Sequence, residues 1–283
     1  MKTTNKIFSI GVAIVIIAFV LFLVLSATVP ALSASLSALL ASTSTPTPGD
    51  VIPLKSLEDL SSLNATVDID VNGLINGERA QGDLKAVLTT NDQGKSKATV
   101  TGGLLGELAA QVGGSLVGLF TPSSVDLYKV PEGNYIVVNS FIPVCVKPKA
   151  ANATQELDDM SPQSLLSMLT SSDVARGKLV GDETLNGVPV KHYIIKGDAF
   201  LAAAQKSSNP KLRAFGESLW SAEDADLYVD AKGGYPVAFR GSYSGAFEPL
   251  KFEGDFDVDV ELTGVNTNTP VELPSSCNKP ISR

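Results

Sequence analysis

The chain has 283 residues, of which 44% are hydrophobic and 18% charged, so it can form a packed core and is not globally disordered. Its net charge is −8, and because Lys2 and Lys6 are the only charged residues before Asp50, the remainder carries 20 basic and 30 acidic side chains. This acidic balance repels phosphate backbones and anionic headgroups. We therefore expect no nucleic-acid partner and no membrane attachment through bulk charge.

The N-terminus predicts export. The uncharged run 7–29 follows Lys2 and Lys6, and at about 1.5 Å per residue it can cross a hydrocarbon layer about 30 Å thick. The two lysines predict that residues 1–6 stay in the cytoplasm. The run 7–29 is then a transmembrane anchor that crosses the cell membrane once, and the C-terminal domain is extracytoplasmic. The alternative is a signal segment cleaved near residues 31–34, which would release a secreted protein.

A tether and one folded domain are expected after this segment. Residues 30–56 contain the sequence Ser-Thr-Ser-Thr-Pro-Thr-Pro-Gly and predict a semi-extended linker, because such a composition cannot build a core. The extracytoplasmic domain then comprises residues 57–283. Cys145 and Cys277 are the only cysteines, and exported thiols commonly oxidise, so we predict one disulfide; two free buried thiols are the alternative.

The domain is predicted to be α+β, with many antiparallel strands and a few helices. Residues 63–75 alternate between apolar and polar side chains, as in a strand with one buried face. Turn sequences such as Asn186-Gly187 separate further strand patterns. The predicted strands are 63–75, 82–90, 95–101, 124–130, 134–139, 178–183, 188–196, 225–230, 236–243 and 249–265. The predicted helices are 104–120, 162–170, 198–205 and 209–220.

The predicted helix 104–120 differs from an ordinary surface helix. Its only charged residue is Glu107, and it contains four glycines, each of which lowers helix stability by up to about 1 kcal/mol relative to alanine. Three interpretations stay open: a buried core helix, a mobile lid or lipid-facing wall over an apolar cavity, and a peripheral membrane contact.

Catalytic and metal sites are not supported by the pattern. His192 is the only histidine, and its phase within a strand favours a structural role at the sheet surface. Asp68 and Asp70 begin a calcium-loop pattern that lacks its glutamate, and the carboxylates of 253–261 are typical of a solvated strand face. A hydrolase using Asp226 and Asp230 is a minor alternative. We predict no enzyme activity, no metal and no cofactor.

The second half of the domain resembles the LolA-like and LppX/LprG-like lipoprotein-carrier superfamily. The resemblance lies in Leu-Asn-Gly-Val-Pro-Val-Lys-His-Tyr at 185–193, Ala-Asp-Leu-Tyr-Val-Asp at 225–230 and Gly-Tyr-Pro-Val at 234–237. It implies a strongly curved antiparallel sheet, or half-barrel, with helices on its concave face and a cavity for acyl chains between them. Members of this family carry lipids or lipidated proteins between membranes, but this chain lacks the lipobox cysteine of the mycobacterial branch.

These observations together predict a membrane-anchored binding protein for a lipid or another hydrophobic small molecule, serving lipid transfer or envelope lipid handling. A non-catalytic cell-surface module with a solid core, binding an envelope protein partner, is the alternative. Helical phase gives a set of candidate cavity-lining residues. These are Leu104, Leu108, Val112, Leu116, Leu165, Leu169 and Trp220.

Overall fold

The computed structural model describes residues 50–55, 57, 60–75, 77–105, 122–147, 174–247 and 252–282. The predicted anchor 7–29, the helix 162–170 and nearly all of the helix 104–120 lie outside the described residues. Within the described part of the chain, no helix has the length and apolar character needed to cross a membrane.

Fourteen strands are described, and all but one pair of neighbours run antiparallel. Their bounds are β1 Asp50–Val51, β2 Leu63–Ile75, β3 Glu78–Thr90, β4 Ser96–Thr101, β5 Ser124–Val130, β6 Gly133–Asn139, β7 Val144–Lys147, β8 Arg176–Leu185, β9 Val188–Ile195, β10 Leu219–Ala222, β11 Ala225–Asp230, β12 Pro236–Phe247, β13 Phe252–Val265 and β14 Ile281–Ser282. Two α-helices, α1 Gly197–Gln205 and α2 Pro210–Ser218, and a short 3-10 helix Ser275–Asn278 complete the described elements.

The sheet is large and curved, and it consists of two meanders joined in the middle. Its strand order is β1-β8-β9-β11-β12-β13-β2-β3-β4-β5-β6-β7-β14, with β10 paired to β12 alone. The central pair is β2 with β13, which are far apart in sequence yet pair from Phe252–Ile75 to Val265–Leu63. The predicted class, an antiparallel sheet with helices packed on one face, is confirmed in this form.

Local sequence explains the hairpins. Asn186 and Gly187 both have positive φ, at 50° and 82°, as a two-residue turn between antiparallel strands requires. The turn joins β8 to β9, where Leu185 pairs with Val188. The hairpin predicted from the Asn-Gly sequence is therefore confirmed.

The two helices follow β9 and agree with prediction except at their ends. The sequence places Asp198 at the cap of the first helix, but the cap residue is Lys196, and the Gly197 N–H donates to Asp224 Oδ1 at 3.1 Å. The prediction that the second helix runs to residue 220 is wrong, because α2 ends at Ser218 and β10 pairs with β12 from Leu219. Trp220 is consequently a strand residue.

The predicted disulfide is confirmed. Cys145 on β7 is bonded to Cys277 in the 3-10 helix, across a sequence separation of 132 residues. Both cysteines are buried in a small cluster with Tyr128, Tyr135 and Val271, separate from the main core. The bond therefore fastens the C-terminal tail to the β5–β6–β7 end of the sheet, where β14 also pairs in parallel with β7.

Candidate ligand-binding face

One face of the sheet is apolar over most of its width, and we call it the inner face. Alternate residues of β2, β3 and β13 point to it and are buried, which follows from the period-two alternation of a strand. The longest inner-face row passes through paired residues on successive strands. These are Leu227, Phe239, Val260, Val67, Ala86, Val100 and Val125.

Helices α1 and α2 cover one part of this face through an aromatic cluster. Phe200 on α1 and Phe215 on α2 meet edge to face, with ring centroids 6.5 Å apart. Tyr243 of β12 lies 5.6 Å from each of these rings and 5.5 Å from Phe256 of β13. Such ring pairs add to the energy of burial, so the cluster fixes both helices on the sheet.

Small residues form the next inner-face row. Gly245, Gly254, Gly73 and Ala80 are paired in sequence across β12, β13, β2 and β3. Gly254 has φ +156°, and a Cβ on it would lie 2.5 Å from the Gly73 Cα, so neither position accommodates a side chain without backbone movement. The backbones of β2 and β13 therefore approach each other closely at this row.

The described start of the predicted helix 104–120 lies on the inner face. Leu104 and Leu105 have helical backbone and are fully buried in the main core. Leu104 packs over Gly82 of β3, because a Cβ built on Gly82 would lie 3.0 Å from its Cγ. Leu104 and Leu105, the first two residues of the predicted helix, therefore pack directly on the apolar face of the sheet.

The other candidate cavity residues divide into two groups. Trp220 is described, and it is 53% exposed on β10, away from the buried aromatic cluster. The remaining candidates lie outside the described residues. These are Leu108, Val112, Leu116, Leu165 and Leu169.

Sequence reasoning missed Phe200, Phe215 and Tyr243, which form the centre of the described inner face. The sequence held a signal for Phe200, because Phe200 and Ala204 are four residues apart and so lie on the same face of the helix. The structure buries both residues. Tyr243 gave no signal, because an alternating strand pattern does not show which face a helix will cover.

His192 lies on the opposite, outer face of the sheet and is hydrogen-bonded there. Its Nδ1 lies 2.8 Å from Glu183 and its Nε2 lies 2.7 Å from Asp226, and its ring stacks on Tyr228 at 4.5 Å. Burial lowers the pKa of His192, but the hydrogen bonds to Asp226 and Glu183 outweigh it, and the net pKa is raised. Arg240 lies over the other part of this network, 5.3 Å from the Tyr228 ring centre.

Several acidic groups of the outer face have ion-pair or hydrogen-bond partners. Asp68 pairs with Lys85 at 2.9 Å and Asp259 with Arg240 at 3.0 Å, so the calcium-like sequence is strand surface. Asp230 accepts the N–H groups of Lys232 and Gly233 and thereby shapes the β11–β12 turn. Across the described residues, no group of three or more potential ligands is arranged to hold a metal ion.

No protein-family model matches the chain, and no curated protein matches it in sequence. Among solved structures it is similar to the lipoprotein LppX of Mycobacterium tuberculosis, with 14% identity, a TM-score of 0.37, and coverage of 77% of this chain and 91% of that one. It is also similar to LprF of Mycobacterium bovis, with 12% identity, a TM-score of 0.39, and coverage of 77% and 90%. An outer-membrane lipoprotein-sorting domain of Vibrio parahaemolyticus matches at 7% identity and a TM-score of 0.24, over 77% and 89% of the two chains.

Proposed function

We propose that this protein binds a lipid or another hydrophobic molecule on the inner face of its curved sheet, as a half-barrel with its site on the concave side. The extent of the inner face carries the proposal. Where α1 and α2 are described, they contact the sheet mainly at β10 and β12. The apolar face continues beyond them across β13 and β2 to β6. We infer that this continuous apolar surface, whose residues are buried in the structure, forms the wall of a site for a hydrocarbon chain.

The size of the inner-face residues supports the same proposal. The inner positions of β3 hold three small residues, Ala80, Gly82 and Ala86, together with the larger Leu84 and Leu88. Because Gly82 has no side chain, Leu104 can pack close to the backbone of β3.

We further propose that the domain works outside the cytoplasm, tethered to the cell membrane by residues 7–29. Its ligand is then taken from, or passed to, a place within reach of the tether. The acidic balance of the domain supports this arrangement, because it disfavours adsorption to anionic lipid surfaces and leaves the anchor as the attachment.

A pair of neighbouring substitutions on β3 tests the proposal. Ala86 is buried on the inner face and Val87 is 43% exposed on the outer face, so Ala86→Phe and Val87→Phe add an aromatic ring to opposite sides of one strand. Purified residues 50–283 are extracted for lipid mass spectrometry and titrated with a fluorescent fatty acid. We expect Ala86→Phe to lose most of its bound lipid and Val87→Phe to keep it.

Stability separates a hollow face from a filled one. In a filled core, the added ring of Ala86→Phe would cost about 1–3 kcal/mol of unfolding free energy. At a ligand site the ring occupies the space of the ligand, so the delipidated variant should be as stable as the wild type. A destabilised Ala86→Phe variant, together with wild-type protein that carries no lipid, would refute the proposal.

The second candidate function is an interaction module, and an exposed loop favours it. Between β6 and β7, Phe141 is 98% exposed and Ile142 is 62% exposed, and Val144 is also exposed. Adjacent apolar side chains in water mark a contact surface for another protein. Site-specific photo-crosslinking from position 141 in cells would identify an envelope protein partner, and Phe141→Ser should leave lipid content unchanged if the loop serves only that contact.

A further inference from the structure

The hydroxyl of Tyr243 is buried on the inner face without a hydrogen-bond partner. The residue is 3% exposed, and the rings nearest to it belong to Phe200, Phe215 and Phe256. None of these neighbours can accept a conventional hydrogen bond. An unpaired hydroxyl in such surroundings destabilises the fold, and phenylalanine would fill the same space without that cost.

Gly241 provides the room that the hydroxyl occupies. It lies two residues before Tyr243 on the same face of β12, and a Cβ on Gly241 would stand 2.6 Å from the Tyr243 oxygen. The phenol is therefore folded back over bare backbone. Its oxygen lies above the row of paired residues Gly241, Val258 and Ile69. The neighbouring row contains Phe256, Val71 and Gly82, on which Leu104 packs.

We propose that the Tyr243 hydroxyl donates a hydrogen bond to the carbonyl oxygen of a neutral acyl ester bound on the inner face. This inference rests on the proposed function and names the polar group of its ligand. The ring neighbours of Tyr243 are apolar, and an ionised headgroup among them would lose its hydration without compensation. A neutral ester oxygen needs one donor, which the phenol supplies.

The protonation state of Tyr243 is consistent with this role. Burial raises the pKa of its hydroxyl well above the ordinary value, so the phenol keeps its proton at physiological pH and acts as a donor. The contact would also give the buried Tyr243 hydroxyl a hydrogen-bond partner.

The test compares two photoactivatable probes on the full-length chain held in amphipol. One probe is a 16-carbon acyl methyl ester, and the other is a 16-carbon alkane without oxygen. The variant is Tyr243→Phe, and the control is Tyr135→Phe, which changes a buried tyrosine in the separate cluster beside the disulfide. We expect Tyr243→Phe to weaken apparent binding of the ester about tenfold and that of the alkane by less than twofold, while Tyr135→Phe changes neither.

Each outcome decides a different statement. If the wild type captures neither probe, both the proposed function and this inference fail. If the wild type captures both and Tyr243→Phe binds the ester as well as the wild type does, the inference fails and the proposed function stands. Equal weakening for ester and alkane would show that Tyr243 only shapes the site, and would also overturn the inference.

Thermal unfolding of the delipidated protein provides an independent measurement. An unpaired hydroxyl predicts that ligand-free Tyr243→Phe melts at the same temperature as the wild type or higher. A lower melting temperature would mean that the hydroxyl already has a partner, such as a buried water molecule, and the ester role would be refuted.

Discussion

Removing the Cys145–Cys277 disulfide should cost a large part of the stability that a folded domain possesses. The perturbation is the double substitution Cys145→Ala/Cys277→Ala. Because the bond spans a sequence separation of 132 residues, the chain-entropy model gives about 5 kcal/mol of stabilisation. Whole domains are stable by only about 5–15 kcal/mol, so such a loss should be evident in any unfolding experiment.

The contacts of the tail explain why other interactions do not replace the bond. After β13, the tail is held by Val271 in the small cluster, by hydrogen bonds from Asn64 to Thr267 and Thr269, and by the two-residue pairing of β14. The side-chain hydrogen bonds each contribute about 1 kcal/mol. Without the disulfide, the tail should exchange its amide hydrogens faster than the central strands do.

Urea unfolding of purified residues 50–283 measures the effect. We expect the double variant to lose about 3–5 kcal/mol relative to the oxidised wild type. A reducing agent should weaken the wild type by a similar amount and leave the double variant unchanged, which is the control. A loss below about 1 kcal/mol would show that closing this loop does not constrain the unfolded chain, and the entropic argument would be wrong.

Three further predictions concern other parts of the sheet. Gly73→Ala should cost about 2–3 kcal/mol, because its Cβ would lie 2.8 Å from the Gly254 Cα, whereas Gly181→Ala, which meets no atom within 4 Å, should change stability by less than about 0.5 kcal/mol in the same urea experiment. The folded-state pKa of His192 is raised above its unfolded value of about 6.5, so its ion pairs stabilise the fold fully below pH 6.5 and this stabilisation is lost as pH rises through the folded-state pKa. The difference in melting temperature between the wild type and His192→Gln should therefore shrink from about pH 6 to pH 8.5. A difference that does not depend on pH would contradict this prediction. Phe141→Ser should leave the melting temperature within about 1 °C of the wild type, since the side chain is 98% exposed, and a clear loss would mean that the loop packs against the domain.

The strands were predictable where their sequences alternate in isolation. The bounds of β2, β5 and β11 agree with prediction to the residue, and β9 differs by one residue at its end. The short strands β7 and β14 were not predicted, because two to four residues give too little periodicity to recognise. The first two residues of β10, Leu219 and Trp220, were assigned to the preceding helix, and the pairing of β10 with β12 decides that they are strand.

Local sequence determined the hairpins, the alternation that gives the sheet one apolar face, and the two cysteines available for a disulfide. These features depend on neighbours within a few residues, where turn geometry and the period of two are decisive. Only the tertiary structure decided that β2 pairs with β13, that α1 and α2 meet over Tyr243, and that its hydroxyl is left unpaired above Gly241. These contacts join residues far apart in the chain, and their energy depends on the packed geometry of the whole sheet, which no local pattern encodes.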